Sequence, residues 1–252
     1  MKITVNIPSY KRPYVKTLEY IKDANVYVCE TEAEEYRKQN KNGNIIAMPK
    51  GVQGNVSRAR NYILESEYNK GADAVCLMDD DMEGIYNWEN RGTFGYEKRK
   101  IEEGTFYEWL ETNTILCDEF GFKLWGVNLN SDARSYRQYT PISTNAVILG
   151  PFGVHIKSKT RYDESIPLKE DYDIALQHLK EYRGILRINS CFYACKQSEN
   201  AGGCASIRNY KREKENFDRL RKKWGSEIIQ NDKGSKKEFD YNPIIKVPIK
   251  GV

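Results

Sequence analysis

Three consecutive carboxylates, Asp79, Asp80 and Asp81, close the apolar run Ala74-Val75-Cys76-Leu77-Met78. Carboxylates a few ångströms apart repel and raise one another's pKa, so three of them at the end of an apolar strand call for a cation. Mg²⁺ or Mn²⁺ suits the position, because either takes hard oxygen ligands and is commonly held by one or two carboxylates plus substrate phosphate oxygens. Asp79 and Asp81 have D-x-D spacing. On an extended segment they point to the same side, one toward the metal and the other toward the metal or a ribose hydroxyl. A solvated acidic turn is the competing reading. The apolar run in front of the triad favours a sheet edge, since five apolar residues in a row suit a strand buried on both faces.

The elements that must position these carboxylates follow from the pattern on either side. Ile3, Val5 and Ile7 alternate with polar residues and stop at Pro8, a strand that delivers the loop Ser9-Tyr10-Lys11-Arg12-Pro13. Tyr14, Leu18 and Ile21 have helical spacing. Val26–Cys29 reads as a second strand, Glu32–Arg37 as a short helix and Ile45–Met48 as a third strand. A flexible loop, 51–55, precedes a helix over Ser57–Asn69 that ends before Gly71. This alternation up to residue 81 predicts an open α/β sheet with ligand loops along one edge. Beyond it, 83–104 reads as a polar stretch, Phe106–Phe120 as a helix, and Leu124–Leu129 and Thr144–Leu149 as strands. Lys169–Tyr182 follows as a helix, Ile185–Tyr193 as the last sheet strand, 198–206 as a Gly-rich mobile segment, Ile207–Trp224 as a helix and the remainder as an extended tail.

In this order the chain resembles the nucleotide-sugar-binding half of GT-A glycosyltransferases, most of all their large inverting family 2. The resemblance rests on IPSYKRP, on Val28-Cys29-Glu30, on Gly54-Asn55-Val56-Ser57-Arg58-Ala59-Arg60-Asn61 and on LMDDDM. It implies a Rossmann-like, mixed, mostly parallel sheet flanked by helices. It also implies donor-binding roles for Pro8, Ser9, Arg12, Glu30, Arg58, Asn61, Asp79 and Asp80, and a metal held by Asp79 and Asp81. The implied cofactors are Mn²⁺ or Mg²⁺, with a UDP-sugar or another nucleoside-diphosphate sugar as donor. Residue chemistry agrees, because a helix N-terminus after a Gly-containing loop attracts phosphate and Arg58 adds charge-assisted hydrogen bonds. The competing reading is that Arg58 and Arg60 are ordinary surface residues of an amphipathic helix.

The second half resembles the acceptor side of the same enzymes in Leu168-Lys169-Glu170-Asp171-Tyr172-Asp173, where the family has an acidic pair opening a helix. The implied general base is Asp171, with Glu170 behind it. Such a base takes the acceptor hydroxyl's proton on the side away from the departing diphosphate, which inverts the anomeric centre. The competing reading is a helix N-terminus made acidic to match its dipole. His155 reads as a packing residue, with completion of the metal site as the alternative. Arg134, Arg137 and Lys196 are further candidates for the sugar diphosphate.

With 252 residues, 39% apolar and 30% charged, the chain has enough material for one enzyme-sized core. We expect a domain over 1–206, divided into a nucleotide-sugar half (1–82) and an acceptor half (83–206), with 207–252 as a basic helix and tail packed on or flanking it. No apolar run approaches the length of a membrane span, and the expected location is cytoplasmic, the host cytoplasm if the protein is phage-encoded. Six cysteines without a CxxC pair read as reduced thiols; Cys191, Cys195 and Cys204 fit no common zinc spacing. The net charge is +4, yet 208–223 alone holds eight basic and three acidic residues, so the positive charge is segregated. Lys211, Arg212, Arg219 and Lys222 on that helix suit a polyanion such as DNA. A compact group of phage and fungal GT-A enzymes that glycosylate hydroxymethylated DNA bases is similar in the IPSYKRP-like start and the triple-aspartate strand end. A polysaccharide, lipid-carrier or protein acceptor is the rival enzyme reading. A catalytically inactive nucleotide- or nucleic-acid-binding domain is the reading outside enzymes.

Overall fold

The strand that delivers the three aspartates, β4 (Ala74–Met78), is buried at every position and lies inside the sheet. The structure, a computed structural model, describes residues 1–129, 131–132, 136, 140–195, 209–231 and 241–246. Parallel pairing joins β1 (Ile3–Pro8) to β4 on one side and to β2 (Asn25–Cys29) on the other, and β2 to β3 (Asn44–Met48). The far half contains β5 (Met82–Asn90), β6 (Tyr96–Lys100), β7 (Leu124–Asn128), β8 (Ile142–Ser143), β9 (Phe152–Ile156) and β10 (Leu186–Cys195). The order across the sheet is β3, β2, β1, β4, β9, β7, β10, β5, β6, with β8 beside β10. Antiparallel β9 sits between β4 and β7, and β10 runs parallel to β7. This is the mixed, Rossmann-like sheet that the sequence predicts.

Side chains of β4 alternate between two packed layers. Ala74, Cys76 and Met78 join a core with Phe106, Leu110 and Cys117 of α3 (Glu103–Glu119), and with Tyr36 of α1 (Ala33–Gln39). Val75 and Leu77 meet Ala59, Ile63 and Leu64 of α2 (Val56–Asn69) on the other face. Each large apolar side chain buried this way contributes roughly 1.5–3 kcal/mol. Asn55 caps α2 by accepting from Arg58 N at 3.2 Å, which fixes where that helix starts. A third cluster joins α4 (Glu170–Tyr182) to α5 (Tyr210–Trp224) through Leu176, Leu179, Phe217 and Leu220.

Several elements differ from the sequence reading. The helical spacing of Tyr14, Leu18 and Ile21 yields only a single 3-10 turn, Lys16–Glu19, because Val15 N is tied to Asn40 Oδ1 (3.0 Å) and Thr17 to the aspartate turn. The polar stretch 83–104 is instead largely the β5–β6 hairpin. The strand expected at Thr144–Leu149 is absent; β8 and β9 flank that segment. The tail is not simply extended, since β11 (Ile229–Asn231) and β12 (Pro243–Ile245) pair antiparallel. The 198–206 segment lies outside the described residues. No helix among the described residues is long and apolar enough to cross a membrane.

Candidate active site

The chain turns at Asp79–Asp81 between β4 and β5, and the turn is pinned from two sides. The Thr17 hydroxyl donates to Asp79 O at 2.6 Å and accepts from Met82 N at 3.0 Å, while Asp79 N donates to Pro151 O at 2.9 Å. Asp80 and Asp81 both accept from Arg12 Nη1, at 2.8 and 3.3 Å, whereas Asp79 accepts from Arg60 Nη2 at 3.1 Å. The segment turns rather than running extended, so Asp79 and Asp81 are held by different arginines. Asp79 is the open member, with 41% of its side chain exposed against 17% for Asp81 and 6% for Asp80.

Asp80, expected to touch the donor, instead holds the first loop. Ser9 Oγ donates to it at 2.5 Å and shares a hydrogen bond with the Tyr36 hydroxyl at 2.9 Å, which in turn accepts from Arg12 N at 3.0 Å. Burial pushes the Asp80 carboxyl up to about 6 against the opposing pull of Ser9 and Arg12. Ser9 is itself buried, so its hydroxyl serves the loop rather than the open face. Pro8 ends β1 and is half-buried. Glu30 is exposed at the end of β2 and accepts from Lys50 N at 3.2 Å. Pro8, Arg12, Glu30 and Asp79 thus lie along the carboxyl ends of three adjacent parallel strands, the edge where an open α/β sheet takes its ligands.

On α2 the structure exchanges the expected roles. Arg58 is exposed, bonded to Glu164 at 3.0 Å and to Gly51 O at 2.6 Å, and braces the loop ahead of its own helix. Asn61 donates to Tyr162 O (2.9 Å) and accepts from Tyr162 N (2.8 Å), so it clamps that loop's backbone. The side chain that reaches the centre is Arg60, only 8% exposed. It binds Asp79 through one terminal nitrogen and Glu170 Oε1 through the other, at 3.2 Å, with its guanidinium over the Tyr162 ring at 5.5 Å. Neither Arg60 nor Tyr162 stands out in the sequence as a donor or base residue. The available signal is spacing, since Ser57, Arg60, Leu64 and Glu67 are buried at helical intervals, and an arginine on the inward face needs an anionic partner.

Glu170 and Asp171 open α4 as expected and sit beside the aspartate turn. Asp171 accepts from Gly150 N at 3.3 Å and from Tyr172 N at 2.9 Å. Gly150 has φ +89°, and a Cβ there would collide with the Tyr193 hydroxyl, so glycine is required to offer this amide. The next residue, Pro151, carries the carbonyl that holds Asp79 N. The two acidic groups, about ninety residues apart in sequence, are therefore joined twice: through Arg60 and through Gly150-Pro151. Burial raises the carboxyl pKa of both Glu170 and Asp171, and repulsion from Asp171 raises Glu170 further, to about 8, against the attraction of Arg60.

His155 lies in β9, 2% exposed, with Nε2 hydrogen-bonded to the Tyr162 hydroxyl at 2.8 Å; it supports the Tyr162 loop and does not face the aspartates. Burial holds the His178 imidazole down at about 3. Asp173 is fully buried and accepts from Trp224 Nε1 (2.8 Å) and Lys223 Nζ, fastening α5 to α4. A buried pair, Lys169 to Glu213 at 2.6 Å, and Asn216 Oδ1 on Leu168 N complete that seam. Of the four cations expected to face DNA, Arg219 donates to Ser165 O at 2.7 Å; Lys211, Arg212 and Lys222 are exposed on α5. Arg134, Arg137, Lys196 and Cys204 lie outside the described residues; Cys191 is a buried free thiol and Cys195 is half-buried at the end of β10.

Among the described residues no three His, Cys, Asp or Glu side chains form a cage that would hold a metal alone. The donor set still suits a hard dication of the kind that completes its shell with phosphate oxygens, because Asp79 is open at the strand end with Asp81 beside it.

Residues 5–203 match the family model described as TET-Associated Glycosyltransferase. Mycobacterium tuberculosis glucosyl-3-phosphoglycerate synthase in complex with Mn²⁺, UDP and phosphoglyceric acid superimposes with TM-score 0.52 at 12% identity, covering 97% of this chain and 86% of that one. Its complex with Mn²⁺, UDP-glucose and phosphoglyceric acid gives 0.51 at 12% identity, with 87% and 79% covered. Staphylococcus aureus TarS 1–349 in complex with UDP gives 0.47 at 15% identity; 77% of this chain is covered, and it spans 59% of that one. At such identities the likeness is one of fold. No curated protein matches the chain.

Proposed function

Because the chain belongs to the TET-Associated Glycosyltransferase family, we propose that it moves a sugar from a nucleoside-diphosphate sugar, a UDP-sugar foremost, to a hydroxyl on a hydroxymethylated base in DNA, with inversion. The observation that carries this reading is the single guanidinium of Arg60 bound to Asp79 and Glu170, which brings a donor-side carboxylate and the candidate bases into one centre. Asp79 and Asp81 are the residues that would hold Mn²⁺ or Mg²⁺. When bound, the ion supplies positive charge to the departing diphosphate. Pro8, Arg12 and Glu30 border the donor at the strand ends, and the buried group Ser9, Tyr36 and Asp80 keeps their loop in place.

Asp171 takes the proton from the acceptor hydroxyl. Its carboxylate is oriented by two backbone amides, from Gly150 and Tyr172, so it needs no side-chain motion to face the acceptor. Glu170, next to it, accepts from Arg60 at 3.2 Å. The family's association with TET and the exposed lysines of α5 support a DNA acceptor over a polysaccharide, lipid-carrier or protein one. The test is mass spectrometry of nucleosides from hydroxymethylated and unmodified DNA after incubation with the protein, Mn²⁺ and mixed sugar nucleotides. A sugar mass added only to the hydroxymethylated nucleoside is the expected result. Donor turnover with no DNA product would overturn the acceptor assignment.

A further inference from the structure

The β5–β6 hairpin, a polar stretch by sequence, carries an aromatic surface that the donor and base residues do not use. Ile85 of β5 points into the core, so Tyr86 and Trp88 do not share a face with it: Tyr86 and Trp88 lie two residues apart, on the opposite face. Phe192 of β10 stacks against both, at 5.6 Å and 16° to Tyr86 and at 4.8 Å and 27° to Trp88. Phe192 is buried, whereas Tyr86 and Trp88 are half-exposed. The register sets Tyr86 opposite Lys100, Trp88 opposite Lys98 and Asn90 opposite Tyr96, so these side chains share that face. Tyr136 packs edge-on against Tyr96 at 5.1 Å and extends the aromatic row.

Charge divides between the two faces of the hairpin. Arg99 pairs with Glu89 at 3.1 Å, and Arg91 near the tip pairs with Glu97 at 2.8 Å. On the aromatic face, Lys98 Nζ stands 5.5 Å over Tyr86 and Lys100 Nζ 4.8 Å over Tyr20, and among the described residues neither has a carboxylate within ion-pair distance. Aromatic rings interleaved with cations are what single-stranded nucleic acid takes, bases stacking on the rings and phosphates following the cations. β5 begins at the residue after Asp81, so at ~3.3 Å per residue Tyr86 lies roughly 16 Å along the strand from the donor turn. That separation suits nucleotides flanking an acceptor base rather than the base itself.

We propose that this face of the β5–β6 hairpin, with Tyr86, Trp88, Lys98 and Lys100, is the docking surface for the unpaired DNA strand next to the acceptor base. The proposal rests on the DNA-acceptor reading and locates the strand on the hairpin, with α5 left to contact more distant phosphates. An acceptor base that leaves the stack to be glycosylated leaves unstacked neighbours, and the aromatic row offers them a replacement surface. The rival account is that Lys98 and Lys100 only guard the sheet's edge against pairing with other chains.

The experiment is fluorescence anisotropy of a labelled oligothymidylate titrated with the full chain over a salt series. The protein is compared as wild type, Trp88→Ala, Trp88→Phe, the double variant Lys98→Gln/Lys100→Gln and the α5 variant Lys211→Gln/Lys222→Gln. Thermal shift with UDP and Mn²⁺ reports that each variant is folded. Trp88→Ala should weaken oligonucleotide binding about tenfold, within the range for removal of one stacked base, and Trp88→Phe should restore most of it. The Lys98/Lys100 variant should lower the salt slope by about 0.7 for each phosphate that is no longer neutralised. If DNA binds, but the hairpin variants retain wild-type affinity and slope, the hairpin is wrong and the DNA-acceptor reading stands. If the wild type binds neither single-stranded nor duplex DNA while still turning over a sugar nucleotide, both fail together.

Discussion

The aspartate turn and the start of α4 are two acidic groups with opposite electrostatic problems. At the turn, three carboxylates face Arg12 and Arg60, and Asp79 keeps an open side. At α4, Glu170 and Asp171 are packed close together, share Arg60 with the turn, and have their pKa values raised by burial. The first arrangement needs further positive charge, which a metal and its diphosphate shell can complete. The second needs a proton, which an acceptor hydroxyl can supply. On the proposed function, similar residues would serve leaving-group stabilisation in one place and proton removal in the other, and Arg60 links the two groups.

The sharpest way to break this comparison is at the turn. Asp79→Asn should lower transfer roughly a thousandfold, several kcal/mol of missing charge stabilisation, and should abolish the thermal shift given by UDP and Mn²⁺. A smaller effect is expected at the link. Arg60→Met leaves two carboxylates without their shared cation, and should cost about 3 kcal/mol in denaturant unfolding as well as activity. Were stability and activity both unchanged, the two centres would not be coupled through this residue.

pH sharpens the difference further. A general base must be unprotonated, and burial raises the Asp171 carboxyl, so the acidic limb of kcat/KM should lie above the ordinary carboxylate range, with activity climbing as pH rises through it. Glu170→Gln removes the neighbouring charge and should shift that limb to lower pH; a profile identical to wild type would remove Glu170 from the pair. The sign for stability is opposite. Groups with raised native pKa stabilise the fold below their unfolded values, and that contribution is lost as pH rises through the native ones. The smallest effect on chemistry is expected at the α5 seam. Asp173→Asn should destabilise the protein by about 1–3 kcal/mol in thermal or denaturant melts, with the UDP-induced shift retained.

Much of this is legible in the sequence where one local rule decides the outcome. The apolar run before Asp79 identifies β4, and α2 departs from its expected start by one residue because Asn55 caps it. The hairpin is hidden because an edge pair with polar residues on both faces and aromatics on only one has no apolar run, and Gly84 interrupts its alternation. Antiparallel β9 does alternate, with Phe152, Val154 and Ile156 turned into the core, but Gly150, Pro151 and Gly153 around its start obscure that short signal. At the site, the carboxylates are recognisable by type and spacing. Which of them share an arginine is not, because Arg60, Tyr162 and Gly150 reach them only through the tertiary fold.

The central claim, that the turn serves the donor while α4 serves proton removal, is tested most directly with Asp171→Asn. UDP-sugar affinity in the presence of Mn²⁺ should be measured by calorimetry alongside kcat for transfer. Donor affinity should be unchanged, with kcat lowered about 10²–10⁴-fold. Full kcat, or loss of donor binding with kcat preserved at saturation, would contradict the claim.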